Sequence, residues 1–300
     1  MSQILAFHRL FRHVLSRQVE YSYGPEEQSF TAMVPLGYDL LPRAMELAAL
    51  LEFTGEWAWG VQRFSEAVRP DTFLLRLDGP DRMPSSITLY CRFPSEPDDV
   101  RFQSAVRSAR PFTWNGPATS HLAEALGLAG PRGVAFRADR KGTLRTSVYF
   151  RSEEHSGPSW VARLPALLAA CGYQNELAGT IEADLKALYG PGPVGVIGLD
   201  DGSNGLPAAL KFDPSNVPVT RAMMFLKKMG VPASRTSALA GVAAGLRAES
   251  VSYVGIKYKE DGFAGWRLYF SCEPSYGPPP AGINVAVQRN LRPIRRIPHY

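Results

Sequence analysis

Five hairpin-like segments recur along the chain at nearly even spacing, and this repetition constrains the fold more than any single residue. Each joins two strand-like runs through a turn that carries a glycine. The glycines are Gly24, Gly79, Gly142, Gly202 and Gly262, at intervals of 55, 63, 60 and 60 residues. The paired runs are VEYSY (19–23) with SFTAMVP (29–35), DTFLLRLDG (71–79) with SSITLYCRFP (85–94), and GVAFRADR (133–140) with LRTSVYFR (144–151). PVGVIGLD (193–200) with GLPAALKFD (205–213) and SVSYVGIKYK (250–259) with GWRLYFSCE (265–273) complete the set. RKGT, DDGSNG and KEDGFAG supply the Gly, Asp and Asn that hairpin turns favour. Repetition over the whole chain reads as one supersecondary unit used five times.

Helical periodicity fills the intervals, at about 2–17, 38–53, 98–109, 118–128, 159–171, 176–188, 217–229 and 233–248. The predicted fold class is therefore α+β: a ten-stranded antiparallel β-barrel of five αββα repeats, surrounded by helices. No Pro/Gly-rich linker divides the chain, so residues 1–300 are expected to form one domain. The competing arrangement is an open sheet with one wet face, which leaves its edge strands unprotected.

Strand side chains alternate between faces. One face carries Leu89, Cys91, Phe93, Val148, Phe150, Leu210, Phe212, Leu268 and Phe270. The other carries Thr88, Tyr90, Arg92, Arg145, Ser147, Tyr149, Arg151, Lys211, Arg267, Tyr269 and Ser271. Among the first strands, Phe73, Leu75 and Leu77 alternate with Thr72, Leu74, Arg76 and Asp78; Val254, Ile256 and Tyr258 alternate with Tyr253, Gly255, Lys257 and Lys259. The apolar stripes of the helices need an apolar partner. They claim the first face, which leaves the cations and phenols to line the interior of a closed barrel.

The net charge of +5 and the pI of about 9.1 are modest. The one basic concentration, RNLRPIRRIPHY at the C-terminus, reads as a solvated tail; no nucleic-acid partner is expected. No apolar run reaches the roughly 18–20 residues that cross a bilayer. The amphipathic start, MSQILAFHRLFRHVL, reads as a core-packing helix instead of a membrane anchor or signal peptide. Cys91, Cys171 and Cys272 form no pair or metal spacing, which places reduced thiols in the cytoplasm. The five histidines lack ligand spacing. Neither a GxGxxG, a GxxxxGK[ST] nor a GxSxG element is present. Asp98-Asp99 and Asp200-Asp201 lack the third spaced acid of a DDxxD run and read as a helix N-terminus and a hairpin turn. Trp57, Trp59, Trp114 and Trp160 read as core or rim packing, and Trp266 as a cap on a barrel strand.

Three phrases, GVAFRADRKGTLRTSVYFRSEEHSGP, VGVIGLDDGSNGLPAALKFDPSNVP and SYVGIKYKEDGFAGWRLYFS, resemble the third, fourth and fifth hairpins of the soluble aromatic prenyltransferases with the αββα, or ABBA, barrel. The resemblance spans essentially the whole chain. It implies transfer of a dimethylallyl or geranyl group from its diphosphate to an electron-rich aromatic small molecule, by a monomer. Arg267 matches a basic residue on the family's last strand, and Lys211 lies near another on the fourth unit's second strand. Arg145 and Lys257 sit at plausible interior positions for the diphosphate. Relatives that bind magnesium carry an Asp on the first hairpin's second strand, where this chain has Ser29 in QSFTAMVP. The resemblance thus implies no cofactor and no required Mg. On the second hairpin the usual Lys is replaced by Ile87 or Thr88, leaving Arg76 or Arg92 to substitute.

The chemistry fits these residue types. Ionising an allylic diphosphate develops charge that Arg and Lys donors stabilise best away from water. Tyr90, Tyr149, Tyr253 and Tyr269 offer faces for an allyl cation, at roughly 0.5–2 kcal/mol each, while a closed barrel excludes the water that would quench it. Asp78, Asp213 and Glu273 are candidate acceptors for the rearomatising proton. A non-catalytic barrel that binds an anionic or aromatic small molecule remains the alternative from the same residues.

Overall fold

A computed structural model describes residues 19–25, 30–36, 41–79, 84–151, 161–189 and 194–272. The strands are β1 (Val19–Tyr23), β2 (Phe30–Leu36), β3 (Thr72–Gly79), β4 (Ser86–Arg92), β5 (Gly133–Asp139), β6 (Leu144–Arg151), β7 (Val194–Asp200), β8 (Ala209–Pro218), β9 (Ser250–Lys259) and β10 (Gly262–Cys272). Every strand pairs antiparallel with its sequence neighbours, and β1 also pairs with β10, so the curled sheet closes on itself. The open-sheet arrangement is excluded by that last pairing.

The helices between the hairpins are α1 (Leu41–Leu50), α2 (Gly55–Val68), α3 (Asp99–Ser108), α4 (Thr119–Leu126), α5 (Leu164–Ala170), α6 (Glu176–Tyr189), α7 (Val219–Lys228) and α8 (Ala233–Gly245). A 3₁₀ turn at Val161–Arg163 leads into α5. Sequence reading missed α2. Its signals are present: Thr54 accepts a hydrogen bond from the Trp57 amide at 3.4 Å as N-cap, and Trp57, Val61 and Phe64 recur at helical spacing on the buried side. The expected helix at 2–17, Trp160, Ser29, Glu273 and the basic tail lie outside the described residues. No helix among the described residues is long and apolar enough to cross a membrane.

The hairpin glycines earn their place at the tightest turns. Gly142 and Gly262 adopt φ of 79° and 114°, a region that other residues enter only with strain. The β5–β6 turn is further held by Asp139, whose carboxylate accepts from the Lys141 and Thr143 amides, each at 2.9 Å.

β8 runs five residues past the expected end at 213. Pro214 pairs with Val194, the first residue of β7, where the β7–β8 register shifts, a place that tolerates a residue without an amide donor. Beyond it, Ser215, Val217 and Pro218 continue to pair with β9.

The face predicted to be apolar is buried without exception: Leu89, Cys91, Phe93, Val148, Phe150, Leu210, Phe212, Leu268 and Phe270 pack under the helices. Trp266 joins them, facing the helix layer opposite Arg267. It is a wall residue, correcting the expectation of a strand-end cap. Trp57 and Trp114 are also buried, and Trp57 donates from its indole to the Phe136 carbonyl at 2.9 Å. Trp59 is exposed, with Arg63 stacked over its ring. A second polar tie joins helices to sheet: Asp184 of α6 accepts from Tyr258 of β9 at 2.8 Å and from Lys228 of α7 at 2.9 Å.

Phe136 lies at the centre of this wall, fully buried, with its ring 4.8 Å from Phe64 and 4.9 Å from Phe112. Phe136→Ala is expected to cost about 3–5 kcal/mol of stability, read from urea unfolding; a loss below about 1 kcal/mol would contradict this packing.

Candidate active site in the barrel interior

Most of the charged and phenolic residues of the second face are neither exposed nor packed. Tyr90, Tyr149, Tyr253, Tyr269, Lys211, Lys257, Arg76 and Arg267 are all half-buried, and all but Tyr253 are flanked on both sides in sequence by buried wall residues. Contacts between non-adjacent strands show where this face points. Arg76 on β3, besides donating to Tyr90 on the neighbouring β4 at 3.0 Å, donates to Tyr269 on β10 at 3.3 Å. Arg267 on β10 meets Asp78 on β3 at 3.3 Å, although β1 and β2 lie between them in the sheet. Such contacts pass through the interior, because strands three places apart are separated by roughly 14 Å in a flat sheet.

Two carboxylates organise the cations. Asp78 receives Arg76 at 2.8 Å and Arg267 at 3.3 Å, and also accepts from Ser86 at 3.2 Å. Arg267 further donates to Ser22 of β1 at 3.0 Å. Asp200 receives Lys211 on one oxygen and Lys257 on the other, the latter at 2.9 Å, and accepts from Ser147 at 2.7 Å. Asp200 therefore corrects the reading of Asp200-Asp201 as a turn pair. Asp200 is the last residue of β7 and turns inward, whereas Asp201 holds the Asn115 amide at 2.6 Å in the turn itself. Asp98 and Asp99 are structural, as expected: Asp98 caps α3 through the Arg101 amide, and Asp99 binds the start of α4 at Thr119 and Ser120.

The phenols lie between the two charge clusters. Tyr90 and Tyr149 have ring centroids 5.5 Å apart, and Tyr253 and Tyr269 meet edge to face at 6.4 Å. The Lys211 ammonium stands 5.9 Å over the Tyr149 ring. Two glycines, on β7 and β9, make room. A Cβ on Gly198 would stand 2.8 Å from the Tyr149 ring; one on Gly255 would stand 3.0 Å from the Asp213 carboxylate and 3.2 Å from Tyr269.

The electrostatics follow from enclosure. Burial opposes the charge on Asp200, but Lys211 and Lys257 outweigh it and hold its carboxyl well below the ordinary range. Burial likewise opposes the Arg76 charge, and Asp78, Tyr90 and Tyr269 more than offset it. Arg267 is lowered by burial and by the nearby Arg76. Burial raises the Tyr149 and Tyr269 phenols, so they remain protonated. Asp213 stands apart. Among the described residues it has no hydrogen bond or ion pair, and burial pushes its pKa up to about 6 against the pull of Lys211 and Arg76.

Not every sequence-predicted cation joins these clusters. Arg92, at the end of β4, pairs with Asp71 at 3.5 Å near the surface. Arg145 is exposed at the start of β6, close enough to Asp139 to stabilise that carboxylate. Of the two second-hairpin alternatives, Arg76 is therefore the one in the interior. Thr88 shares its face and is buried, and Ile87 faces the helices. Asp200 was the residue that sequence reasoning overlooked; the signal for it was its two-residue alternation with Gly198 and Val196 along β7.

No protein-family model and no curated protein matches the sequence significantly. Solved structures do. The geometry defines a helix-wrapped antiparallel barrel, and the matching structures share that fold. The 5-dimethylallyltryptophan synthase of Streptomyces coelicolor superposes with a TM-score of 0.58 at 13% identity, covering 88% of this chain and 82% of its own. The 6-dimethylallyltryptophan synthase of Micromonospora olivasterospora, in complex with DMASPP and Trp, gives 0.59 at 12% identity over 85% and 81%. AnaPT of Neosartorya fischeri gives 0.56 at 10% identity over 85% and 78%. The chain thus has the fold of the ABBA-type aromatic prenyltransferases, as its strand phrases suggested.

Asp213 carries a stability consequence with a definite sign. Its folded pKa of about 6 lies above the unfolded value of roughly 3.9. Its contribution therefore favours the native state below about pH 4 and is lost as pH rises to about 6. Asp213→Asn should leave the melting temperature unchanged near pH 4 and raise stability by about 1–3 kcal/mol above pH 7. Equal shifts at both pH values, measured by calorimetry, would show that Asp213 does not titrate abnormally.

Proposed function

We propose that this chain is an aromatic prenyltransferase, a single barrel domain built from five αββα units. The supporting observation is the convergence of Arg76, Arg267, Lys211 and Lys257 with four tyrosines inside a closed sheet. In this reading the four cations receive the diphosphate of a dimethylallyl or geranyl donor. As the allylic C–O bond breaks, its electron pair leaves with the diphosphate, where charge-assisted hydrogen bonds hold it. Tyr90, Tyr149, Tyr253 and Tyr269 flank the resulting cation, and the helix-covered wall keeps water from it. An electron-rich ring carbon then forms the new C–C bond and sheds its proton.

Asp213 suits that last step better than Asp78, which two arginines already engage. A carboxylate with a pKa of about 6 is basic enough to accept the proton and still ionised at neutral pH. Arg145 and Arg92, lying away from the two clusters, are assigned to drawing the anionic donor toward the barrel.

The reaction is proposed to run without a bound metal. The two best-placed carboxylates, Asp78 and Asp200, are already occupied by cationic side chains, and no group of three or more His, Cys, Asp or Glu gathers among the described residues. The enzyme is further proposed to act as a cytoplasmic monomer on small molecules alone, with no nucleic-acid or membrane partner.

Incubation with dimethylallyl and geranyl diphosphates and a panel of indoles, phenols and naphthols should give a prenylated adduct detectable by mass spectrometry. Retention of a bound aromatic with no adduct across the panel would favour a non-catalytic binding barrel. Arg267→Ala should lower turnover at least about tenfold in a folded protein, as expected for loss of one charged donor to a developing charge. Turnover should persist in excess EDTA; complete and Mg-reversible loss would overturn the metal-free reading.

A further inference from the structure

One carboxylate inside the barrel does something that the transfer reaction does not require. Asp200 spreads its two oxygens over two different ammonium groups, Lys211 from β8 and Lys257 from β9, while Ser147 from β6 fixes its orientation. Its geometry is that of a small oxyanion held between two cations. A phosphate oxygen pair offers the same lysines the same chemistry.

We propose that Asp200 is an internal counter-ion: it holds the place of a phosphate between Lys211 and Lys257, keeps both lysines charged before the donor arrives, and yields them to the diphosphate. This rests on the reading of the interior as a diphosphate site.

The need for such a group is physical. Two ammonium ions this close repel each other, and burial adds to the cost of charging them. The surrounding groups offer little relief. On β8 the only other acid is Asp213, which no ion pair among the described residues holds; on β9 Lys259 adds a further positive charge; Tyr149 on β6 and Tyr173 after α5 are neutral phenols. Even with Asp200 present, burial and the charge of Lys211 leave Lys257 below the ordinary lysine range. Without it, one of the two lysines should shed its proton within the working pH range. Asp200 is thus a positioning residue: it acts through the lysines and leaves the reacting atoms untouched. It also competes with the ligand, because a carboxylate and a phosphate cannot occupy the same two donors.

These two effects have opposite signs and separate with pH. Calorimetric titration with inorganic pyrophosphate should be run on the wild type, Asp200→Asn and Asp200→Glu at about pH 6.5 and about pH 9. Ratios of variant to wild type cancel the ligand's own titration. Asp200→Asn should bind about tenfold more tightly at the lower pH, where both lysines stay charged and the competitor is gone. That advantage should shrink at least about tenfold by the higher pH, the change expected for one pKa unit. Asp200→Glu should restore the wild-type pH profile. A ratio at or below one at the lower pH, or the same ratio at both, overturns the proposal. If the wild type does not bind pyrophosphate, the diphosphate reading fails on its own. The counter-ion role is then decided by ¹³C-lysine NMR. The Lys257 titration midpoint should drop by about one pH unit or more in Asp200→Asn, or in Asp200→Ser should the amide not fold; an unchanged midpoint sinks it.

Discussion

Closure of the sheet between β1 and β10 is the constraint on which the rest of the molecule depends. An antiparallel sheet has two faces, and helices cover only one of them here. Were the ring open, the Arg, Lys and Tyr residues of the second face would sit in water, where each ion pair is worth little. Closing the ring turns the same alternation into an enclosed interior in which charges must find partners. Arg76 and Arg267 on Asp78, and Lys211 and Lys257 on Asp200, are those partners.

The neutralisation is uneven, and the unevenness gives the interior its chemistry. Two of the inward carboxylates each bind two cations. The third, Asp213, binds none among the described residues and is correspondingly hard to ionise. Between them lie four tyrosines that present ring faces, and burial keeps the Tyr149 and Tyr269 phenols protonated. An anion finds donors and a cation finds rings within one compartment. That combination suits the charge-separating reaction proposed above.

Much of this was legible along the chain. The strand alternation sorted wall from interior correctly at Leu89, Phe150, Leu210 and Phe270, all of which are buried against helices. It also placed Tyr90, Tyr149, Arg76 and Lys257 on the inner face. The misses have local causes. Helix α2 went unseen although Thr54 caps it, because its glycines and two tryptophans blur the apolar spacing. Asp200 was read as a turn residue because it borders DDGSNG, a sequence that does form a turn one residue later. Trp266 was read as a cap, and only the pairing register with Ile256 shows it facing the helices.

By itself, the sequence determined which side chains share a face, since a period of two leaves no freedom once a segment is a strand. It also marked two of the hairpin turns, through Gly142 and Gly262, whose positive φ glycine adopts without strain. Only the tertiary structure decided which charges meet. Arg267 and Asp78 are 189 residues apart, and their contact depends on the curvature that carries β10 round to β3. Curvature and closure belong to the whole ring of hydrogen bonds, so no local stretch of residues encodes them.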